Sequence, residues 1–274
     1  LGENGVGLIG IDANGNKKWS WVRHGVGAHY IATGKDDVVF IIGGYGEYWL
    51  AKVNPETGES RLFSNGLADI KLTDKPSGLA VHGDTVAIAF KDAGKVRFFN
   101  LASGGMLYEV SANAPTSIAF TPNGALVGIS GTQYFSIAPC ASTPLLFKVT
   151  GVNAPVALAT DSQGKLYVSD AVQHTIKVFS QCAGNATLVR EIGERGGHRP
   201  GPWNPQRMQA PLALAVDERA DAISVWAVED NSAPRRVSLW GADGKLTRDY
   251  IGNTRYSGTG GLMSDVIPDL GIVD

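Results

Sequence analysis

A short phrase that recurs along this chain constrains its fold more than any other feature. The phrase opens on a proline in most copies and carries an alanine, framed by aliphatic residues, at its fifth position. Its copies begin at Ala28, Pro76, Pro115, Pro155 and Pro211, and a degenerate sixth copy begins at Pro268. Successive copies start about 39 to 57 residues apart, which is the spacing of four-stranded propeller blades or somewhat beyond it. The repeat therefore predicts consecutive blades, the longer ones carrying loop insertions.

Each copy of the phrase is followed by segments in which apolar and polar residues alternate. The most regular example, Ala154–Phe179, reads as three short strands. Outer, fourth strands are predicted at Met106–Val110, Leu188–Ile192 and Leu246–Ile251. Because turns rich in Gly, Asn, Asp and Pro separate the segments, we expect an all-β chain of short antiparallel strands.

The two ends of the chain are out of phase with the repeat. Gly7–Ile11 and Lys17–Val22 match a third and a fourth strand, whereas Pro268–Asp274 matches a first strand. We therefore expect a six-bladed β-propeller of four-stranded antiparallel blades, with an incomplete closing blade shared by the two termini. A seven- or eight-bladed parent is the alternative. The predicted single domain spans 1–274, with blades at about 23–63, 64–110, 111–150, 151–192 and 193–251 and a closing blade made of 1–22 and 252–274.

Composition limits the classes of function. The chain is 43% hydrophobic and 18% charged and has a formal net charge of −2, which does not suit a protein that neutralises nucleic-acid phosphates. No apolar run is long enough to span a membrane. The chain begins at Leu1 rather than Met, so we interpret it as a processed protein or as one module of a larger one. We favour an extracellular or periplasmic location.

Two stretches resemble the NHL-repeat family of β-propellers. They are Ala154–Phe179 and the glycine-rich Glu191–Trp203 that runs on to Pro211–Asp217. In that family, a glycine-rich loop ending in an aromatic residue and a proline precedes the inner strand. The resemblance covers 151–252 well and 22–150 more weakly. It implies a propeller with a binding face; family members bind RNA or proteins, and a few are lyases or lactonase-like enzymes, so function has to be argued from sites.

The insert at 193–209 holds the largest set of candidate ligand-binding residues. They are Arg195, His198, Arg199, Trp203 and Arg207. Guanidinium, imidazole and indole groups together suit an anionic or carbohydrate-like ligand or a protein hot spot. The alternative is a rigid structural connector, in which Trp203 packs within the connector itself and the arginines are solvated. RNA binding through the three arginines is a further hypothesis.

Loops between second and third strands supply the remaining candidates. Tyr45, Tyr48 and His174 are predicted to bind a ligand. Carboxylates that end neighbouring strands could converge on a divalent metal, and the candidate metal ligands are Asp170, Glu229, Asp230 and, on an inner strand, His29. The alternative is structural, because Asp at a strand end commonly caps a turn by accepting backbone N–H bonds.

These observations lead to one functional hypothesis and one alternative. The first is a non-enzymatic propeller module that binds a protein or a carbohydrate-like ligand through the loop face that includes 193–209, with no cofactor. The alternative is a metal-assisted propeller hydrolase or lyase with acidic residues at the channel mouth. We expect no nucleic-acid partner and no membrane span. Cys140 and Cys182 are predicted to be two free thiols or, if the irregular 131–150 segment shifts, one disulfide.

Overall fold

A computed structural model of the chain describes most of its residues. The described ranges are 6–12, 14–23, 26–34, 36–180, 186–199, 201–220, 222–229 and 235–252. They form 22 β-strands, with no α-helix among them. Contacts divide the chain into two compact units, one made of 1–131 with 135–146 and the other of 132–134 with 147–274.

The strands pair into one two-stranded sheet and five four-stranded sheets, in which neighbours along the chain are neighbours in the sheet. The two-stranded sheet is β1 (Val6–Ile11) and β2 (Lys17–Val22). The first four-stranded sheet is β3 (Gly27–Thr33), β4 (Val38–Gly44), β5 (Glu47–Val53) and β6 (Asp69–Leu72). The second is β7 (Gly78–His82), β8 (Thr85–Phe90), β9 (Lys95–Asn100) and β10 (Met106–Ser111).

The other three sheets follow the same order. The third sheet is β11 (Pro115–Phe120), β12 (Leu126–Ser130), β13 (Gln133–Ile137) and β14 (Leu145–Phe147). The fourth is β15 (Pro155–Thr160), β16 (Leu166–Asp170), β17 (Thr175–Phe179) and β18 (Leu188–Ile192). The fifth is β19 (Ala213–Ala220), β20 (Ala222–Glu229), β21 (Arg236–Trp240) and β22 (Leu246–Ile251). Strands β1 to β10 lie in the first unit, and β15 to β22 lie in the second.

The middle strands of each sheet are its most buried elements. All residues of β12, β16 and β17 are buried, as are all of β4 except its last glycine. Their near-continuous runs of Val, Ile, Leu and Phe suit strands covered on both faces. The fourth strands β10 and β18, by contrast, are partly exposed, so each sheet runs from a buried centre to a solvated rim.

The β1–β2 sheet packs on the first four-stranded sheet through two tryptophans. Trp21 meets Phe40 edge to face at 4.9 Å between ring centroids. The indole N–H of Trp19 donates to Pro55 O at 2.9 Å, and that of Trp21 donates to Ser60 Oγ at 2.9 Å. Packing between neighbouring sheets therefore accounts for this aromatic pair.

The predicted all-β architecture of four-stranded antiparallel sheets is confirmed. The described part of the chain forms five such sheets, against the six blades that were predicted. The expected closing blade is represented there only by β1 and β2, because just two strand-like segments precede Gly27. Its expected C-terminal part, from residue 253 on, lies outside the described residues.

The first blade also ends later than the sequence pattern indicates. We expected it to end at residue 63, but its fourth strand is β6, Asp69–Leu72. In the structure Phe63 lies in a loop and is 2% exposed, packed in the core cluster with Leu50 and Phe99.

Two further predictions concern cysteines and the membrane. Cys140 is free and exposed, whereas Cys182 lies outside the described residues. Within the described ranges, no helix is long and apolar enough to cross a membrane.

Candidate functional site

The predicted site residues fall into two groups, one in each unit. His29, Tyr45 and Tyr48 lie on the first four-stranded sheet, in the first unit. The second unit holds Asp170, His174, Arg195, His198, Arg199, Trp203, Arg207 and Glu229. Asp230 lies outside the described residues.

The 193–209 segment is a loop whose two ends come together. Glu194 forms an isolated parallel bridge with Arg207, and the Glu194 amide donates to Gln206 O at 2.8 Å. Gly193 turns the chain at φ 85°, where an added Cβ would lie 2.7 Å from the Met208 methyl carbon. Met208 is fully buried, so the base of the loop is anchored in the core of the second unit.

A buried arginine fastens this loop to the fifth sheet. Arg236, the first residue of β21, donates to Arg207 O at 2.9 Å through Nη1 and to Pro205 O at 2.7 Å through Nη2. Its Nε donates to Asp249 Oδ2 at 3.0 Å. The guanidinium also lies 5.6 Å from the centre of the Trp203 ring. One planar fork thus holds two loop carbonyls and stacks on the loop tryptophan.

Glu229, an acidic residue, binds the backbone of the same loop. It is the last residue of β20, pairs with Arg236 across the sheet and is fully buried. Its Oε2 accepts the Gln209 N–H at 2.6 Å, and its Oε1 lies 3.6 Å from Arg236 Nη1. Burial raises the pKa of Glu229 to about 7, against the smaller opposing effects of the Gln209 N–H and Arg236.

The two histidines of the group bond to backbone atoms of the loop. His198 Nε2 lies 3.2 Å from Arg207 O, to which it donates, and 3.5 Å from Glu229 Oε2. Burial lowers the pKa of His198, which favours the neutral ring. His174 Nδ1 accepts the Ala210 N–H at 3.0 Å. Both rings therefore stabilise the loop conformation.

Two of the three candidate arginines already have an acidic partner. Arg195 binds both carboxylate oxygens of Glu191, at 2.6 Å for the shortest contact. Arg207 Nε lies 3.3 Å from Glu194 Oε2. Arg199 is exposed and forms no ion pair with any described residue. The positive charge free to meet an anion or an RNA phosphate is accordingly much smaller than the sequence indicated.

Asp170 caps the turn between β16 and β17. Its Oδ1 accepts N–H groups of Ala154, Val172 and Gln173, and its Oδ2 accepts the Asn153 N–H at 2.8 Å and Lys177 Nζ at 2.9 Å. Burial alone would raise the pKa of Asp170, but the hydrogen bonds from Lys177 and the backbone outweigh it and lower that pKa. This is the turn-capping role that the sequence offered as the alternative to metal binding.

These contacts do not suit the predicted metal site. Asp170 and Lys177 form a buried pair, and Asp170 accepts five donors, which leaves it little capacity for a cation. Glu229 faces the buried Arg236. Across the described ranges, no three His, Cys, Asp or Glu side chains are arranged to hold a metal ion.

The first-unit group is an aromatic patch at one end of the β3–β4–β5 ladder. His29 and Tyr48 meet edge to face at 5.4 Å, and His29 Nε2 lies 3.3 Å from Gly43 O. Tyr48 packs on Gly43, where an added Cβ would lie 2.5 Å from the Tyr48 ring. Tyr45, in the turn after β4, is 97% exposed. The structure thus brings His29 and Tyr48 together and leaves Tyr45 projecting into solvent.

Sequence reasoning missed the two residues that organise the second group. The sequence pattern singles out neither Arg236 nor Gln209. The sequence carries a partial signal for Arg236. In an antiparallel pair, the first residue of one strand lies opposite the last residue of the strand before it, which here places Arg236 opposite Glu229.

No protein-family model and no curated protein matches this chain. Among solved structures, a nidogen/laminin complex is similar over 90% of this chain and 91% of its own, with a TM-score of 0.64 and 13% identity. The fold is an all-β propeller. Virginiamycin B lyase from Staphylococcus aureus is similar over 90% of this chain and 76% of its own, with a TM-score of 0.55 and 13% identity. At such identities these propeller likenesses show the fold alone.

A third structure matches less of the propeller. Hydrazine synthase from Kuenenia stuttgartiensis covers 65% of this chain, with 18% identity and a TM-score of 0.48. The chain spans about half, 49%, of that protein's chain. This likeness is too partial to carry an argument.

Proposed function

We propose that this propeller, built of NHL-like repeats, is a non-enzymatic binding module of a larger protein. It binds a protein or a carbohydrate-like ligand through the 193–209 loop. The observation that carries the proposal is the fastening of that loop by Arg236 and Glu229, both fully buried.

Such fastening is what a binding loop needs. Holding the backbone at Pro205, Arg207 and Gln209 removes much of the ordering cost that a mobile loop would incur on association. In the second half of the loop, Arg199, Gly201, Pro202 and Pro205 are exposed and Trp203 is half-buried. Arg199 is exposed and forms no ion pair with any described residue, and an exposed guanidinium on a rigid turn suits a hot spot on a protein.

The enzyme alternative is less well supported by the same contacts. It requires acidic side chains with free oxygens around a metal, and the described candidates Asp170 and Glu229 are each engaged with a buried cation. A lyase is among the propellers of similar fold, but so is a complex of two proteins.

A binding panel tests the proposal. Purified chain is presented to immobilised laminin, other extracellular-matrix proteins and a glycan array, and bound ligands are titrated by biolayer interferometry. Arg199→Ala and Arg199→Glu alter the exposed cation of the loop. Lys245→Ala is the matched control, because it removes one exposed positive charge from the turn after β21 in the same unit.

The proposal expects at least one ligand whose affinity falls about tenfold with Arg199→Ala, falls further with Arg199→Glu and is unchanged by Lys245→Ala. Equal binding by all variants would place the contact elsewhere. A stoichiometric divalent metal in the purified protein, lost on Asp170→Ala together with a turnover activity, would favour the enzyme alternative.

A further inference from the structure

The hairpin between β4 and β5 has an unusual residue at its tip. The ladder ends with the pair Gly44–Glu47, so the turn consists of Tyr45 and Gly46. Their φ angles are 53° and 82°, the left-handed values that a two-residue turn of this kind requires at both positions. Asn, Asp and Gly suit the first position, whereas an aromatic residue there is opposed by its own backbone geometry.

No contact within the described chain compensates for this conformation. The Tyr45 side chain is 97% exposed, the highest value among the large hydrophobic side chains of the described residues. Neither a hydrogen bond nor a ring contact joins it to another described residue. Gly46 beside it is open as well, since an added Cβ there would meet nothing within 4 Å. Among the described residues, therefore, no contact of Tyr45 offsets the strain of its backbone.

The hairpin beneath the tip is rigid. From Val38–Val53 to Gly44–Glu47 its ladder runs without a register shift. Most of β4 is buried, and Tyr48 packs on Gly43 and against His29. Tyr45 is thus presented on a fixed support, and a tyrosine loses little side-chain freedom when it is bound.

The shape and charge of the tip indicate the kind of partner. Small ligands and sugars bind in concave sites, whereas a lone tyrosine on a two-residue turn is convex, so the partner has to supply the cavity. Glu47, the first residue after the turn, pairs with Lys71 at 2.7 Å, so these two charges offset each other. A neutral tip lacks the positive charge that binding to a phosphate backbone or to an anionic lipid surface requires.

We propose that Tyr45 is an anchor that inserts into a pocket on a folded protein partner. The proposal does not rest on the 193–209 loop, which lies in the other unit. It assigns to the first unit a second interaction surface, made of the hairpin tip with the His29–Tyr48 pair at its base.

Site-specific photo-crosslinking identifies what covers the tip. A benzophenone amino acid replaces Tyr45 in the full chain, which is irradiated in extracts of its own source organism. The control places the same group at Glu56, a solvent-facing position in the turn at the other end of β5, with its side chain 76% exposed. The proposal expects a protein that cross-links at 45 and not at 56.

The captured protein is then purified and titrated against three forms of the chain. Tyr45→Asn suits the backbone and removes the ring, so binding should weaken roughly 30-fold. Tyr45→Phe keeps the ring and should stay within about threefold of the natural chain. If the natural chain and Tyr45→Asn bind the purified protein equally, the proposal is wrong.

Other outcomes also overturn it. Cross-links only to further copies of this chain would assign the tip to self-association, and no cross-link above the Glu56 control would leave no protein partner at the tip. A glycan-array signal that depends on Tyr45 would assign the surface to a sugar instead. Arg199 variants report separately on the 193–209 loop, so failure of one proposal is distinguishable from failure of the other.

Discussion

Arg236 is the residue on which the conformation of the candidate binding loop most depends. Arginine is seldom fully buried unless it is paired, and here two backbone carbonyls and Asp249 supply the partners. Its guanidinium lies 5.6 Å from the ring centre of Trp203 and 5.8 Å from that of Trp240. A lysine could keep the charge but could not bond three acceptors in one plane.

Arg236→Lys should therefore destabilise the chain by about 3 kcal/mol, because several buried acceptors lose their donors. Urea unfolding followed by tryptophan fluorescence measures this loss. Arg195→Lys is the control, since Arg195 makes an exposed ion pair with Glu191 in the same loop and its replacement should leave the midpoint unchanged. A midpoint that moves equally in both variants would contradict the role given to Arg236.

The titration of Glu229 should make the stability of the chain depend on pH. Its pKa rises from 4.5 to about 7 on folding because the carboxyl is buried. A raised pKa means that the folded state holds the proton more tightly, so this contribution to stability is full below about pH 4.5 and is lost as the pH rises through 7. Integrated over that window, the loss amounts to about 3 kcal/mol.

Glu229→Gln removes that titration and keeps an acceptor for the Gln209 N–H. Urea unfolding between pH 4.5 and 8 measures the free energy of unfolding of both proteins. As the pH rises, the value for the natural chain should fall relative to that of the variant by up to about 3 kcal/mol. Arg236, Asp249 and His198 surround the carboxyl and are unchanged in the variant. A difference that stays constant with pH would show that Glu229 titrates normally.

Tyr45 makes a prediction about stability that is independent of any partner. Because the left-handed conformation suits Asn better than Tyr, Tyr45→Asn should stabilise the chain by roughly 0.5–1 kcal/mol. Tyr45→Phe keeps the strain and should match the natural chain. Thermal and urea unfolding measure both, and a less stable Asn variant would mean that Tyr45 makes a stabilising contact.

At the scale of elements, the β16–β17 turn shows how one side chain fixes a connection. Asp170 ends β16 and satisfies four backbone N–H groups as well as Lys177. Removing it would leave a fully buried ammonium without its carboxylate. The turn therefore depends on the Asp170 carboxylate, which the sequence also made a candidate metal ligand.

Asp170→Ala should cost about 3–5 kcal/mol of stability for that reason. Lys177→Met with Asp170→Asn should cost less than the single alanine change, since the pair is then removed together. Unfolding of the two variants and of the natural chain measures this order. Metal content by mass spectrometry should not differ between Asp170→Ala and the natural chain, and a metal lost with the side chain would contradict the turn-capping role.

At the scale of the whole molecule, the strands were predictable because alternation and turn residues are local signals. The fourth strands expected at Leu188–Ile192 and Leu246–Ile251 are found with those bounds. The end of the first blade was misjudged, since β6 begins at Asp69, after a loop in which Phe63 packs in the core. A local pattern does not show whether an apolar side chain belongs to a strand or to a buried loop.

The site was less predictable than the fold. The sequence located the 193–209 loop and its aromatic and basic residues, but which arginines are paired depends on Glu191 and Glu194 folding back onto them. The clamp by Arg236 joins residues about thirty positions apart and leaves no local trace. Tyr45 was found from its residue type, whereas its strained backbone could be seen only in the structure.

Hydrogen exchange of the backbone amides across the chain tests most directly whether the 193–209 loop is held in one conformation. We expect the amides of Glu194, His198 and Gln209 to exchange as slowly as those of the exposed strands of the fifth sheet. Each of the three N–H groups donates a hydrogen bond in the loop or at its base. Arg236→Lys should speed all three, while amides of the first unit stay unchanged. Exchange of these amides in the natural chain at the rate of an unprotected peptide would contradict a preorganised loop.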